Sequence, residues 1–250
     1  ACVVGLRRDG RRDSLFWLVQ LVGLAGAGAF VIAEMSGAWR TGFSLAMWVS
    51  VAASIAVFTV VSAVAAQGWR LMPLAAPYFL IMAGLATIWH QASPAALAAA
   101  APTAWVHSHI LVSVITYGVV TVAAIAALGA WLQDRALKNK KPTTLTRRLP
   151  PLADCESLTV RLLAVGEAVL ALGLITGMGI EYNETGRLMI WDHKTVLTSG
   201  AFVVIGALLI AHRVSGMRGR LAARIVLSAY LLLTLGYPGV KFVTDVLMSS

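Results

Sequence analysis

Apolar residues gather in seven long blocks, near residues 14–33, 43–66, 70–89, 107–133, 158–180, 195–212 and 221–244. Most reach the ~20 residues that a helix rising 1.5 Å per residue needs to cross about 30 Å of hydrocarbon. Within each block the apolar positions run on without strict alternation, unlike the ~10-residue inside-out segments of a membrane β-barrel. The pattern therefore predicts an all-α, polytopic transmembrane helical bundle of seven spans, a single transmembrane domain over residues 1–250. Glycines fall inside the blocks, as in VGLAGAGAF and LALGLITGMG, where small residues let helices approach closely. Pro73 and Pro77 predict a kink in the third span.

The polar connections sort by charge. RRDGRR (7–12), QGWR, DRALKNKKPTTLTRR (134–148) and HRVSGMRGR (212–220) alternate with the basic-poor connections 34–42, 90–106 and 181–194. Basic residues collect on the cytoplasmic side, so the N-terminal arm is expected inside, residues 134–157 as a basic cytoplasmic loop, and the C-terminus outside. SPAALAAAAP (93–102) is expected as an interfacial outer loop. The tip ACVVGL reads as the remnant of an eighth span ahead of the arginines. In a chain 59% hydrophobic and 12% charged, the net charge of +9 is read as this asymmetry, with lipid and not nucleic acid as the partner. Cys2 and Cys155 form neither CxxC nor CxxCH, which argues against a dithiol carrier or a c-type cytochrome.

Candidate chemistry lies with the histidines. At about 100° per residue, His109, Ser113, Thr116 and Tyr117 share one stripe of the fourth span, and His107 points roughly 160° away from His109. A polar stripe in hydrocarbon should face the bundle interior or a cavity. His193 opens the sixth span on the same side as His109, whereas His212, 19 residues later, lies roughly 28 Å along the axis at the other face. His90 and His107, beside Trp89 and Trp105, read as interface residues. Glu167, deep in the fifth span, should face a cavity or pair with Arg161 or His212. There is no HExxH, Walker, GxGxxG or GxSxG motif. Imidazole ligates haem iron, zinc and copper and shuttles protons, and histidines spread over separate spans suit a flat, large ligand. A permease is a further possibility, but the paired interrupted spans of an internal repeat are not evident.

WVHSHILVSVITYG, LPPLADCESLTVRLLAVGEAVLALGLITG, IWDHKTVLTS, AHRVSGMRGRLAARI and LGYPGVKFV, taken in order over residues 105–243, resemble the cytochrome c assembly family. This is the group of membrane haem-handling proteins with CcsA, CcmC and HemX types, and the likeness is greatest to its short YpjD-like branch. The resemblance implies a multi-pass protein of the bacterial inner membrane that binds haem and presents it at the outer face during c-type cytochrome biogenesis, with apocytochrome c or other membrane subunits as partners. It aligns His109 with the family's external haem-ligand histidine, His212 with a histidine within the membrane, and Trp191 and Asp192 with the end of a tryptophan-rich outer loop. YNETGRLMIWD keeps one tryptophan where larger members have several, and no histidine follows His212, where they carry a second external one. His193, at the position of the family's proline, is the candidate for that second axial ligand. An accessory or scaffold subunit that keeps the fold without haem is the alternative.

Overall fold

A computed structural model describes residues 13–36, 40–89, 95–96, 104–188 and 191–243. The arginine-rich arm, the ACVVGL tip, His90, most of SPAALAAAAP and the last seven residues lie outside them. Among the described residues, seven helices are long and apolar enough to cross a membrane. The first four are α1 (Ser14–Met35), α2 (Phe43–Val64), α3 (Met72–Ile88, led in by a 3-10 turn at Gly68–Leu71) and α4 (Ala104–Lys138). After the short α5 (Thr144–Arg148) come α6 (Leu152–Thr185), α7 (His193–Ser215) and α8 (Gly219–Thr234), the last extended to Phe242 by a π-helical turn at Leu235–Gly239. The only strand pairing among the described residues joins Arg40–Thr41 to Ala95–Ala96.

Several helices outrun their apolar blocks. α4 continues through Arg135 and Lys138, and α6 begins at Leu152, because Leu, Ala, Gln, Lys and Arg keep the backbone ladder going after hydrophobicity has ended. The basic connection between them is folded back on the bundle. Thr143 and Thr146 form a reciprocal capping box, Gln133 Nε2 donates to the carbonyls of Thr146 (2.9 Å) and Pro150 (2.8 Å), and Arg70 donates to those of Arg148 and Arg147.

α4 is the central helix, with α2, α6 and α8 packed on it. Gly118 allows the approach of α2, since a Cβ there would lie 3.1 Å from the Ala53 carbonyl oxygen. The buried core between them includes Phe58, Val120, Ile125, Leu163, Ile205 and Val226. α1 holds to α2 through Gln20, whose Nε2 donates to Thr59 Oγ1 at 2.8 Å, and exposes Leu18, Val22 and Ile32 on its outer side. In α8 the missing N–H of Pro238 interrupts the ladder, and the backbone there widens to the π turn.

Candidate functional site

A cavity of about 430 Å³ opens among α4, α6, the first turns of α7 and the π turn after α8, within the ~300–1,000 Å³ range of small-molecule and cofactor sites. The stripe read from the sequence lines it: His109, Ser113, Thr116 and Tyr117 all face the space. Apolar walls come from Ile110, Leu170, Leu174 and Met178, and Glu181, Asp192, Lys194, Thr195 and Thr198 supply polar groups. The widened turn contributes Gly236 and Tyr237.

His109 is held by α6. Its Nδ1 lies 2.9 Å from Thr176 Oγ1, and that hydroxyl is also within 2.9 Å of the Leu172 carbonyl and 3.0 Å of the Gly173 carbonyl. A hydroxyl carries one proton. With that proton directed at the carbonyls, Thr176 accepts from His109 Nδ1–H, so the neutral ring keeps its lone pair on Nε2. This is the arrangement by which metal-binding imidazoles are oriented from behind. Gly177 makes room for the ring, for a Cβ there would sit 3.1 Å from His109 Cε1. Trp105 lies over Gly179 and donates its indole N–H to the Thr176 carbonyl at 3.0 Å, fixing the same turn of α6. On the deeper side, Tyr117 and Tyr230 join hydroxyls at 3.2 Å, and Tyr230 bonds on to Tyr78 of α3.

The remaining sequence candidates divide. Asp192 reaches the cavity as the N-cap of α7, accepting from Thr195 N–H at 2.7 Å. Partial burial disfavours its charged form, but the hydrogen bonds from the Thr195 side chain and backbone, with Lys194 and His193 nearby, outweigh that and hold the carboxyl below its ordinary value. Trp191 is 72% exposed. His193 is also exposed, and neither residue lines the cavity. His212 stands at the far end of α7 beside a void of about 30 Å³, together with Glu156 and Met217. Its Nδ1–H donates to the Met217 carbonyl at 2.9 Å, and Glu156 Oε1 accepts from Gly219 N–H at 3.0 Å. His109 and His212 are therefore not brought together, as their spacing predicts. Glu167 pairs with neither Arg161 nor His212 among the described residues; its Oε2 is shielded and has no hydrogen-bond partner. No group of three or more His, Cys, Asp or Glu able to hold a metal ion occurs among the described residues.

Thr176, Gly177, Trp105 and Lys194 escaped the sequence-based candidates. The one signal available was the glycine spacing of LGLITGMG, which marks a close-packed face on α6 without saying what packs there.

Residues 29–248 match the family described as Cytochrome C assembly protein, which carries the resemblance back from residue 105. The chain is 50% identical over 246 residues to the uncharacterized 28.8 kDa protein in the nifR3-like 5' region of Azospirillum brasilense, covering 98% of this chain and 90% of that protein. It is 32% identical over 204 residues to the inner membrane protein YpjD of Escherichia coli K12, covering 78% of this chain and 72% of that protein. No solved structure matches it. With seven membrane-length helices and this likeness along nearly its whole length, the chain belongs to the cytochrome c assembly protein family and is a multi-pass protein of the bacterial inner membrane.

Proposed function

We propose that the protein binds haem in the His109 cavity and presents it at the outer membrane face during c-type cytochrome biogenesis. The observation that carries this reading is the His109 ring, tied at Nδ1 to Thr176 with Nε2 left as a lone pair on a residue lining the cavity.

The residues fit the group. An imidazole nitrogen suits iron, the Gly177 cradle seats its ring, and the apolar walls suit a porphyrin face. Lys194 and Thr195 suit its carboxylates. When bound, haem supplies the iron that takes the imidazole and the vinyl carbons to which an apocytochrome's cysteines become joined. The chain's own residues act by position: Thr176 fixes the tautomer, Trp105 fixes the turn carrying Thr176, and the walls exclude water. His193, the first residue of α7 and the neighbour of the cavity-lining Asp192 and Lys194, is the proposed second ligand, and Trp191 offers an exposed stacking face. The void at His212 has space for about one water, so the haem-sized space belongs to the His109 end. The basic side chains Arg135, Lys138, Arg147, Arg213 and Arg218 cluster at the ends of spans opposite that cavity, which supports an outward-facing site.

The scaffold alternative draws on α1, whose exposed apolar side suits a neighbouring subunit as well as lipid. Purification in detergent followed by visible spectroscopy separates the two. A Soret band that is lost in His109→Ala or His193→Ala supports haem ligation. Protein that stays colourless after haem is added excludes it and favours the scaffold.

A further inference from the structure

Glu167 has no part in the haem reading, and its surroundings carry a separate inference. The side chain projects from the middle of α6 against Gly206 of α7, where a Cβ at position 206 would lie 2.9 Å from Glu167 Oε1. Oε2 is shielded and without a partner. Among the described residues no countercharge faces it: on α8, Arg220 is paired with Asp134, Arg224 is exposed, and Tyr230 is hydrogen-bonded to Tyr117 and Tyr78. In α4 the only ionisable side chain between residues 110 and 133 is Tyr117, whose hydroxyl is engaged by Tyr230, and α7 has none between residues 195 and 211. On α6 itself the nearest is Arg161, six residues away, exposed and directed to another side of the helix. An unpaired carboxylate in a membrane interior costs several kcal/mol, whereas a neutral acid costs far less.

Glu167 also lies between the two internal spaces. Leu170, one turn toward one end, lines the large cavity, and Leu163, one turn toward the other, lines the small void beside His212 and Glu156. These turns span only about 4.5 and 6 Å. Across the seam on α7, Ser199 Oγ is likewise shielded and unpartnered, and it follows Thr198, a residue of the cavity wall. Ser199 stands seven residues, about 10 Å along the axis, from Gly206 and on the same side of α7, so one unpartnered hydroxyl lies between the cavity and the carboxyl.

We infer that Glu167 is a neutral, proton-carrying carboxyl in the membrane interior, exchanging its proton along the α6–α7 seam between the cavity and the void at His212. The ligand is a proton, and the inference stands whether or not haem binds.

Infrared difference spectra of the detergent-purified protein at neutral pH test it, wild type minus Glu167→Gln. The expected result is a protonated-acid carbonyl band that Glu167→Gln lacks and that moves to lower frequency in D₂O. Gly206→Ala, which presses on Oε1, should shift the band while thermal unfolding confirms that the fold is kept. The hydrophobic reagent dicyclohexylcarbodiimide should label Glu167: the acid O–H adds across one C=N bond, and acyl migration leaves an N-acylurea with the mass of the whole reagent and no leaving group. Labelling should fade as pH rises and vanish in Glu167→Gln. Absence of the acid band would overturn the neutral state, and a band unmoved after prolonged D₂O exposure would overturn the exchange.

Discussion

The two ends of the α4–α6–α7–α8 bundle are built from similar parts to opposite effect. Each holds a histidine whose Nδ1 is engaged, His109 by Thr176 and His212 by the Met217 carbonyl. One faces a cavity of about 430 Å³ and the other a void of about 30 Å³. At the basic end, polar side chains reach across helices and pull them together. Arg220 of α8 meets Asp134 of α4 at 2.9 Å, beside Lys138 of α4 itself at 3.0 Å, Gln133 holds the α5 connection, and Glu156 of α6 receives the first N–H of α8. At the cavity end the polar groups of α7 line open space, and the Pro238 turn lets α8 depart from regular packing. A histidine with a free nitrogen is thus common to both ends, and room in front of it is not.

If that contrast is functional, His109→Ala should lower haem affinity by more than ~100-fold, the upper range for losing even an outer-shell partner, while His212→Ala leaves it within about twofold. Equal losses in titrations of the purified protein would dissolve the distinction. The converse substitution, Asp134→Ala, should act on stability. It strands Arg220 and Lys138, both partly exposed, so the cost should be about 2 kcal/mol, below the range for a fully buried pair. Thermal unfolding in detergent measures it, and unchanged haem affinity in the folded fraction is the second half of the expectation. Thr176→Val should then weaken haem binding roughly tenfold, about 1.4 kcal/mol, by releasing Nδ1. Its diagnostic is a changed haem spectrum, whereas Thr176→Ser should restore the wild-type one.

The spans were legible because membrane insertion writes itself as continuous hydrophobicity, and the His109–Ser113–Thr116–Tyr117 stripe because a helix has a fixed period. Both kinds of signal are local. The helix ends were not legible in the same way: α4 and α6 continue into charged sequence by backbone hydrogen bonding, which hydropathy does not record. Nor was the seat of His109, since Thr176 is 67 residues away and the sequence does not say which turn of α6 faces which turn of α4. Trp191 and His193 show the same limit differently. They flank the Asp192 cap, Trp191 before the helix and His193 as its first residue, so the period of an established helix could not tell whether they point into the cavity; they do not line it. Five sequence landmarks placed the second half in its family, while the first half, with few polar residues inside its spans, offered none to recognise.

The smallest effect concerns how the two ends begin a helix. α7 starts at the cavity with its own cap, Asp192, whereas Arg218 gives α8 no side-chain cap and Glu156 of α6 takes the first N–H instead. Replacing either carboxylate with Ala should cost about 1 kcal/mol at neutral pH, but the consequences should differ. Glu156→Ala removes a tie between two helices and should lower only the unfolding temperature. Asp192→Ala frays the turn that carries Lys194, Thr195 and Thr198, so it should also weaken haem binding a few-fold. The pH dependence has a definite sign. The Asp192 carboxyl is held below its ordinary value in the folded protein, so its stabilisation is complete above the unfolded value of about 3.9 and is lost as pH falls through the lowered folded one. Asp192→Asn, whose amide oxygen can cap without titrating, should match wild type at pH 7 and lack that acid-side loss. If Asp192→Ala instead left haem affinity untouched, the first turn of α7 would be a wall of the cavity without being part of its grip.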